Sequence, residues 1–167
     1  MDLDLAEVKL ETLISDSVEM VVSKASDTQV SVRSDVAGDL GMIRADERRI
    51  RQILFNLISN ALRFTDPGGE VVVSAERVDD MVRLTVKDDG RGIEADRQAE
   101  SFDSFTSGDQ RGAGLGLSLV RHFAELHGGR VGLKSIEGGG TEVSCWLPVK
   151  ATLKLVTSPD LPLTEAA

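Results

Sequence analysis

Several patterns that mark other classes of protein are scarce or missing in this sequence. The one cysteine, Cys145, excludes an internal disulfide and a multi-thiol metal cluster, and its strand-like surroundings predict a packed, unreactive thiol. The 19 basic residues are outnumbered by 28 acidic ones, and the net charge of −9 argues against a nucleic-acid partner. No apolar run approaches the roughly 20 residues of a membrane span, and the acidic N-terminus does not resemble a signal peptide.

What is present fits one ordinary globular domain. A chain of 167 residues with 41% hydrophobic content is long enough to bury a useful core, but a second domain would not fit comfortably. We therefore expect a single cytoplasmic domain that makes no membrane contact itself. A membrane anchor, if a parent protein has one, would lie elsewhere.

The hydrophobic pattern predicts helices alternating with hairpins. Helices are predicted at residues 11–26, 46–65 and 115–127, and strands or extended pieces at 29–33, 38–44, 70–78, 81–88, 130–136 and 141–149. The central helix is the clearest, because its apolar positions follow the i, i+3, i+4 rule from a good N-cap at Asp46 to the stop at Asp66-Pro67-Gly68-Gly69. Residues 1–10 are interpreted as a linker, 96–102 as a helical turn or two, 106–114 as a loop and 151–167 as a disordered tail.

These elements predict an α+β fold. About three helices and at least five strands, with antiparallel hairpins beside long crossovers, favour helices layered on one face of a mixed sheet. The domain proper is expected to span residues 11–150.

Polar side chains flank the apolar stripe of the central helix. Asn56, Asn60 and Arg63 are four and three residues apart, so they fall within a sector of roughly 60°. An amide oxygen suits Mg²⁺ and a guanidinium suits phosphate oxygens, so the set matches a metal–polyphosphate ligand. A solvated helix flank is the alternative.

A carboxylate followed by two glycines ends a predicted buried strand at Asp88, Gly90 and Gly92. The glycines allow a sharp turn and a close approach of another group. If a base binds there, Asp88 can accept a hydrogen bond from an exocyclic amino group, which favours adenine over guanine. A plain turn explains the same residues equally well.

A glycine-rich segment, Gly112 to Leu117, opens the third predicted helix. Unpaired N–H groups and the helix dipole make such a start an anion site. The segment follows neither the strand-first order of a Rossmann unit nor the P-loop spacing, so both of those folds are disfavoured. Phe102 and Phe105 either anchor a loop that closes over phosphates or are ordinary core aromatics.

The two histidines do not predict catalysis. Neither His122 nor His127 has a cysteine, serine or carboxylate at a spacing that would form a triad or a metal pair. We interpret His127 as a helix-end residue and His122 as a helix-face residue.

Taken together and in order, five motifs resemble those of a known family. They are Asn56-Leu-Ile-Ser-Asn60-Ala-Leu-Arg63-Phe64-Thr65, Asp88-x-Gly90-x-Gly92, Phe102-Asp-Ser-Phe105, Gly112-x-Gly114-Leu-Gly116-Leu and Gly138-x-Gly140-Thr141. The set is similar to the N, G1, F, G2 and G3 boxes in the catalytic ATP-binding domain of bacterial sensor histidine kinases. That domain has the Bergerat fold, shared with gyrase B, Hsp90 and MutL, and the resemblance covers roughly residues 10–149.

The resemblance implies a role for each matching position. Asn56, Asn60 and Arg63 would form the catalytic set, with Asn60 as the Mg²⁺ ligand. Asp88 would recognise adenine. The positions implied to contact ATP are Asn60, Arg63, Phe64, Asp88, Gly90, Gly92, Ile93, Phe105, Arg111, Gly112, Gly114, Leu115, Gly116, Leu117 and Thr141.

The resemblance also implies a reaction and its partners. In ATP-hydrolysing relatives a glutamate stands at the position of Asn56 and activates water, whereas an amide cannot accept that proton, so transfer is favoured over hydrolysis. The acceptor would be a histidine on an upstream dimerisation domain, in a parent homodimer that signals to a response regulator receiver domain. No such acceptor histidine followed by an acidic residue exists in this chain.

Two other functions stay open at this point. The family usually has a basic and then an apolar residue at Glu100-Ser101, and Glu-Pro at Asp103-Ser104, while only six residues separate Phe105 from Gly112. These departures allow a pseudokinase that regulates a response regulator or another kinase by binding. The short lid and the sequence Arg-Gly-Ala-Gly-Leu-Gly-Leu from Arg111 to Leu117 also resemble alphaproteobacterial cell-cycle kinases, some of which signal without conventional histidine autophosphorylation. An ATP-hydrolysing protein of the gyrase type is the third possibility.

Overall fold

The computed structural model describes residues 2–24, 28–92 and 114–151. Its elements, in chain order, are β1 (Ala6–Lys9), α1 (Leu10–Lys24), β2 (Ser31–Val36), β3 (Met42–Ala45), α2 (Glu47–Phe64), β4 (Glu70–Val78), β5 (Met81–Asp88), α3 (Gly114–Leu126), β6 (Arg130–Ile136) and β7 (Gly140–Pro148). The turn predicted at 96–102, most of the loop predicted at 106–114 and the predicted tail beyond Ala151 lie outside the described residues. Ala151 itself, assigned to the tail, is buried and donates its N–H to the Arg44 carbonyl.

The main sheet has five strands in the order β2-β4-β5-β7-β6. β2 runs parallel to β4, and the other neighbours are antiparallel. A separate small sheet pairs β1 with β3. Within the described residues, three helices and a mixed, mostly antiparallel sheet confirm the predicted α+β two-layer sandwich.

Most element bounds agree with the sequence pattern, and the exceptions have local causes. Both hairpins and all three helices form where alternation and helical periodicity predict them. The strand predicted at 29–33 instead begins at Ser31, because Gln29 lies in a turn with φ +56°. Residues 6–9, which fall inside the predicted linker, form a strand whose Val8 is buried.

The central helix α2 is capped at both ends by side chains. The Asp46 carboxylate accepts the Arg49 N–H at 3.2 Å, which satisfies one of the free donors of the first turn. At the other end the Thr65 hydroxyl donates to the Ala61 carbonyl at 2.6 Å. Proline at position 67 then prevents continuation of the helix.

The core lies between the helices and one face of the main sheet. The buried positions of β4 and β5 alternate, so every second side chain meets the helix layer. The apolar stripe of α2 supplies the middle of this core: Ile50, Ile53, Leu54, Leu57, Ile58 and Ala61 are all buried. Cys145 on β7 is fully buried, which confirms the predicted packing of this thiol, and burial raises the pKa of Cys145 to about 12.

His127 joins the end of α3 to the start of α2. Its Nδ1–H donates to the Phe123 carbonyl at 2.7 Å, and its Nε2 accepts the backbone N–H of Asp46 at 3.0 Å. This pair of contacts requires the neutral ring with the proton on Nδ1. Burial lowers the pKa of His127; the Phe123 carbonyl and the Asp46 carboxylate act against burial, and the Arg49 cation adds to it.

The His127 junction predicts a stability that falls in mild acid. Because the folded-state pKa lies below 6.5, the unfolded chain takes up the proton first as the pH falls. The contribution of His127 to the free energy of unfolding is therefore fully present above about pH 6.5. It is lost as the pH falls below that value, by up to about 1.4 kcal/mol per pH unit. Urea unfolding between about pH 7.5 and about pH 5 should show this slope.

Two variants separate this effect from general acid sensitivity. His127→Gln removes the titrating ring and should flatten the acid limb of the stability profile. His122→Gln changes an exposed histidine on α3 and is the control, which should keep the acid limb of the wild-type profile. Equal slopes in wild type and His127→Gln would contradict the assignment.

Candidate functional site

A mainly apolar pocket lies between α2, the start of α3 and the end of the main sheet. Side chains of α2 form one wall, strands β5 and β7 form the opposite wall, and α3 contributes one residue. The lining residues are Leu57, Asn60, Ala61, Phe64, Val86, Asp88, Leu117, Thr141 and Val143. A pocket of this kind, apolar with a few convergent polar groups, is typical of a small-molecule site.

Asp88 is the buried carboxyl group of this pocket. It ends β5 on the helix-facing side of the sheet and is only 5% exposed. Burial raises its pKa, whereas backbone hydrogen bonds from Gly90, at 3.0 Å, and from Thr141 stabilise the charged form and oppose the shift. These donors hold the carboxyl group in a fixed position, which is what recognition of a ligand hydrogen-bond donor requires.

The loop after Asp88 packs directly on the end of α2. The backbone N–H of Arg91 donates to the Phe64 carbonyl at 3.3 Å, and the Arg91 guanidinium lies 5.9 Å from the centre of the Phe64 ring. A Cβ at Gly90 would overlap the Phe64 carbonyl oxygen. Glycine is therefore required there by close approach of two backbones, rather than by turn geometry alone.

The hairpin between β6 and β7 supports the same loop from the other side. The Gly138 N–H donates to the Arg91 carbonyl at 2.6 Å, and a Cβ at Gly92 would overlap the Ile136 carbonyl oxygen. Gly92 also has φ +73°, which side-chain-bearing residues rarely adopt. The motif Asp88-x-Gly90-x-Gly92 and the motif Gly138-x-Gly140-Thr141 therefore pack against each other next to the Asp88 side chain.

Of the three polar residues predicted on α2, Asn60 is the one that lines the pocket. Its side-chain Nδ2 is buried without a hydrogen-bond partner. Asn56 is half-buried and accepts a hydrogen bond from the Gln52 amide at 2.9 Å. Arg63 is exposed near the end of the helix.

The start of α3 lies beside Asn60. A Cβ built on Gly116 would come within 2.9 Å of the Asn60 amide, so glycine leaves room between the two helices. Leu117 is buried in the pocket wall, and Gly114 is the first residue of α3. Among the predicted contact positions, Ile93, Phe105, Arg111 and Gly112 and the side chain of Leu115 lie outside the described residues.

The donor set fits a magnesium ion held jointly with phosphate groups. A buried amide with an unmatched polar atom is costly unless a ligand completes it. The unmatched atom, Nδ2, is a hydrogen-bond donor, so an oxygen of a bound phosphate would complete it. The oxygen of the same amide is the atom that could ligate Mg²⁺, beside phosphate oxygens and water.

Four lining residues were not predicted as site residues. Leu57 and Ala61 were assigned only to the core stripe of α2, and Val86 and Val143 were assigned only to strands. Val86 and Val143 each lie two positions from a predicted site residue on the same strand face. The period of two along a strand could have identified them.

Comparisons with known proteins agree with this geometry. The chain is 41% identical over 148 residues to the sensor protein DivL of Caulobacter vibrioides, covering 89% of this chain and 19% of DivL. It matches full-length ShkA, solved in complex with AMPPNP, at TM-score 0.82 and 34% identity over 92% of this chain and 33% of ShkA. The nucleotide-free catalytic domain of histidine kinase ThkA matches at TM-score 0.81 and 25% identity, over 89% of this chain and 98% of that domain.

The fold and pocket define a Bergerat-type ATP-binding domain. The family model described as histidine kinase-, DNA gyrase B- and HSP90-like ATPase matches residues 45–151, and this chain belongs to that family. The resemblance drawn from the five motifs is confirmed. The chain spans about a fifth of the length of DivL, and none of the helices in the described ranges is long and apolar enough to cross a bilayer.

The close approach at Gly90 predicts a sharp penalty for adding one methyl group. Gly90→Ala should lower the free energy of unfolding by about 1–3 kcal/mol, because the Phe64 backbone must move. Gly132→Ala, in β6, places its Cβ in open space and should change stability by no more than about 0.5 kcal/mol. Urea denaturation of both variants measures the difference, and equal stabilities would contradict the packing described.

Proposed function

We propose that this chain is the ATP-binding catalytic domain of a two-component sensor histidine kinase. In the parent protein it binds Mg-ATP and transfers the γ-phosphoryl group to a histidine on a separate dimerisation domain. The observation that carries the proposal is the presence in one apolar pocket of a buried carboxyl group, Asp88, and of an amide, Asn60, whose buried Nδ2 has no hydrogen-bond partner among the described residues. Membership of the family and the likeness to an AMPPNP-bound kinase support it.

The base of ATP fits the Asp88 end of the pocket. Apolar side chains from α2 and from the sheet offer a slot for a flat ring, and Phe64 lies at its edge. The ionised Asp88 carboxyl group can only accept hydrogen bonds, so it selects a base with an amino group at that position. Removing water from this slot strengthens the hydrogen bond.

The phosphates fit the Asn60 end, where α3 begins. Backbone N–H groups at a helix N-terminus are free to bind anions, and Gly116 keeps the two helices open at this point. Asn60 and Asn56 are one helical turn apart on α2 and would hold the metal and the phosphate chain, with Arg63 on the phosphates. Mg²⁺, when bound, neutralises charge that develops on the transferred group.

Transfer to an imidazole needs little further chemistry from this chain. Phosphoryl transfer depends mainly on positioning and on charge stabilisation, and a neutral imidazole is itself a nucleophile. The Asn56 amide cannot act as a base towards water, which disfavours hydrolysis of ATP. The residues of this chain therefore orient the phosphate and exclude competing reactions while another domain supplies the acceptor.

The proposed partners follow because this chain binds ATP while another domain supplies the acceptor histidine. We propose an upstream histidine-bearing dimerisation domain in a homodimeric, cytoplasmic signalling module, and a receiver domain of a response regulator as the next phosphate acceptor. No nucleic acid or membrane is required by this segment.

The direct test combines this chain with the histidine-bearing domain of its parent protein and γ-labelled ATP. Transfer of label to an acid-labile, alkali-stable position on that domain is the expected result. Asn60→Ala should abolish the transfer while the domain remains folded. Nucleotide binding without any transfer would contradict the kinase assignment.

That negative result would favour a second function, a pseudokinase that signals by binding. The unusual residues at Glu100-Ser101 and Asp103-Ser104, together with the short segment between Phe105 and Gly112, motivate this second proposal. The deciding observation is the residue at the phospho-acceptor position of the parent chain, since a side chain that cannot be phosphorylated there supports the pseudokinase. Steady phosphate release by this chain alone would instead indicate a gyrase-type ATPase.

Asp88→Asn tests the proposed base recognition. The variant keeps the shape but loses the charged acceptor, and a hydrogen bond to a charged group contributes about 1.5–3 kcal/mol, so ATP affinity should fall about ten-fold or more. Calorimetric titration measures it. Asp89→Asn is the matched control, because Asp89 is exposed and its carboxylate accepts the Glu70 N–H outside the pocket. Unchanged affinity in Asp88→Asn would place the base elsewhere.

A further inference from the structure

The single tryptophan of the chain lies on the face of the main sheet that turns away from the helices. Trp146 stands on β7 directly opposite Arg83 on β5 and Arg130 on β6. The guanidinium carbon of Arg83 lies 5.5 Å from the centre of the indole ring, and that of Arg130 lies 4.8 Å from it, so both cations interact with the ring. Trp146 is only partly buried, so an apolar surface lies open to solvent between two cations.

This outer face of the sheet is mostly basic, although the chain as a whole is acidic. Strand alternation turns every second residue of β5, β7 and β6 outward. The charged residues at these outward positions are four basic ones and one acidic one: Arg83, Lys87, Arg130, Lys134 and Glu142. Glu76 on the neighbouring β4 pairs with Arg83 at the margin of this patch. The whole chain, by contrast, has a net charge of −9. A basic patch around an exposed tryptophan suits a segment that combines carboxylates with apolar side chains.

A row of small residues lies beside Trp146 on the same three strands. Thr85, Ser144 and Gly132 are in register with one another, two positions along each strand from the row that contains Trp146. A Cβ on Gly132 would meet no other atom within 4 Å. The long side chains of the Trp146 row therefore rise beside a lower surface, and an extended segment can lie along this edge.

The chain itself carries a segment of matching chemistry beyond the described residues. Residues 159–165 read Pro-Asp-Leu-Pro-Leu-Thr-Glu, which places two carboxylates and two leucines around a Pro-x-x-Pro spacing. Each proline fixes its own φ and favours an extended conformation of the residue before it, so the sequence favours polyproline II, a conformation common in segments without a fold of their own. With three residues per turn, Pro159 and Pro162 fall on the same side. Segments of this kind dock on surfaces lined by aromatic side chains.

The same segment is tethered within reach of Trp146. Ala151, the last described residue, is five positions beyond Trp146, so their Cα atoms are at most about 17 Å apart. The eight residues from Ala151 to Pro159 span up to about 27 Å when extended. A weak contact is sufficient for docking, because a short tether keeps the local concentration of the segment in the millimolar range.

We propose that residues 159–165 dock on the outer face of the main sheet at Trp146 of the same chain. The two prolines pack against the indole ring, and the two carboxylates pair with the guanidinium groups on either side of it. The pocket lies on the opposite side of the sheet, between the sheet and α2, so the docked segment leaves the nucleotide site open. This inference goes beyond the proposed function and does not depend on it.

Paramagnetic relaxation measured by NMR locates the segment. A nitroxide on Thr164→Cys labels one site, because the native Cys145 is fully buried and burial raises its pKa to about 12. The label should broaden the one indole N–H signal of the chain, that of Trp146, and the amide signal of Gly132. Met20 is the internal control, since it is exposed on α1, which packs beside β2 at the far edge of the sheet. Its signal should stay sharp.

Substitutions in the segment and in the sheet test the two kinds of contact. Replacing both prolines, Pro159→Ala with Pro162→Ala, should reduce the broadening at Trp146 about three-fold or more, in proportion to the docked population. Asp160→Lys and Glu165→Lys should each reduce it as well. Adding Arg130→Glu should restore the broadening in at least one of these two charge variants, because the charges are then exchanged. Lys9→Glu, an exposed position on β1, is the matched control and should restore neither.

A mixed sample separates docking within one chain from docking between copies. Labelled chain without nitrogen-15 is mixed with unlabelled, nitrogen-15-enriched chain, and no broadening at Trp146 is expected. Broadening as strong as in the singly labelled sample would show that the segment docks on a second copy, and would overturn docking within the chain.

Two further results would overturn the proposal. One is broadening of Met20 as strong as that of Trp146, which indicates a segment without a docking site. The other is broadening at Trp146 that neither the proline nor the charge variants alter. These measurements use no nucleotide, so they leave the proposed function untouched whichever way they fall. Calorimetric titration of Asp160→Lys with Mg-ATP should accordingly give the wild-type affinity.

Discussion

The antiparallel contact between α2 and α3 is the constraint on which the site depends. At one end of this contact the His127 ring accepts the backbone N–H of Asp46, and at the other end Gly116 lies against the Asn60 amide. The first end is closed by hydrogen bonds and the second is kept open by the lack of a side chain. The same pair of helices therefore forms a sealed core at one end and a pocket at the other.

The main sheet carries a buried carboxyl group, that of Asp88, which selection for stability alone would not favour. A buried carboxyl group costs free energy, and the raised pKa of Asp88 records that cost. Two backbone N–H groups offset part of it, and the glycines at 90 and 140 allow the chain to come close enough for this geometry. A carboxyl group that is buried, although such groups are usually exposed, and that nearby backbone N–H groups stabilise is typical of a functional site.

The elements of the fold could be predicted from the sequence because apolar residues recur at helical spacing in α2 and alternate with polar residues in both hairpins. The residues that carry adenine recognition in the proposal could be found in the same way, since Asp88 stands at a strand end before two glycines. Helical angle alone placed Asn56, Asn60 and Arg63 in one sector, but it cannot say which of them the neighbouring helix covers.

The small sheet of β1 and β3 has a mechanical consequence. The backbone N–H of Asp4 donates to the Asp46 carboxylate at 2.9 Å, and Ala151 donates to the Arg44 carbonyl at 3.0 Å, so both ends of the described fold meet at one corner. Asn60 lies 14 residues along α2 from that corner, roughly 20 Å away at the rise of a helix. A tether to another domain at this corner would act as a pivot about 20 Å from Asn60, so a rotation there would displace Asn60 while the corner itself stays in place.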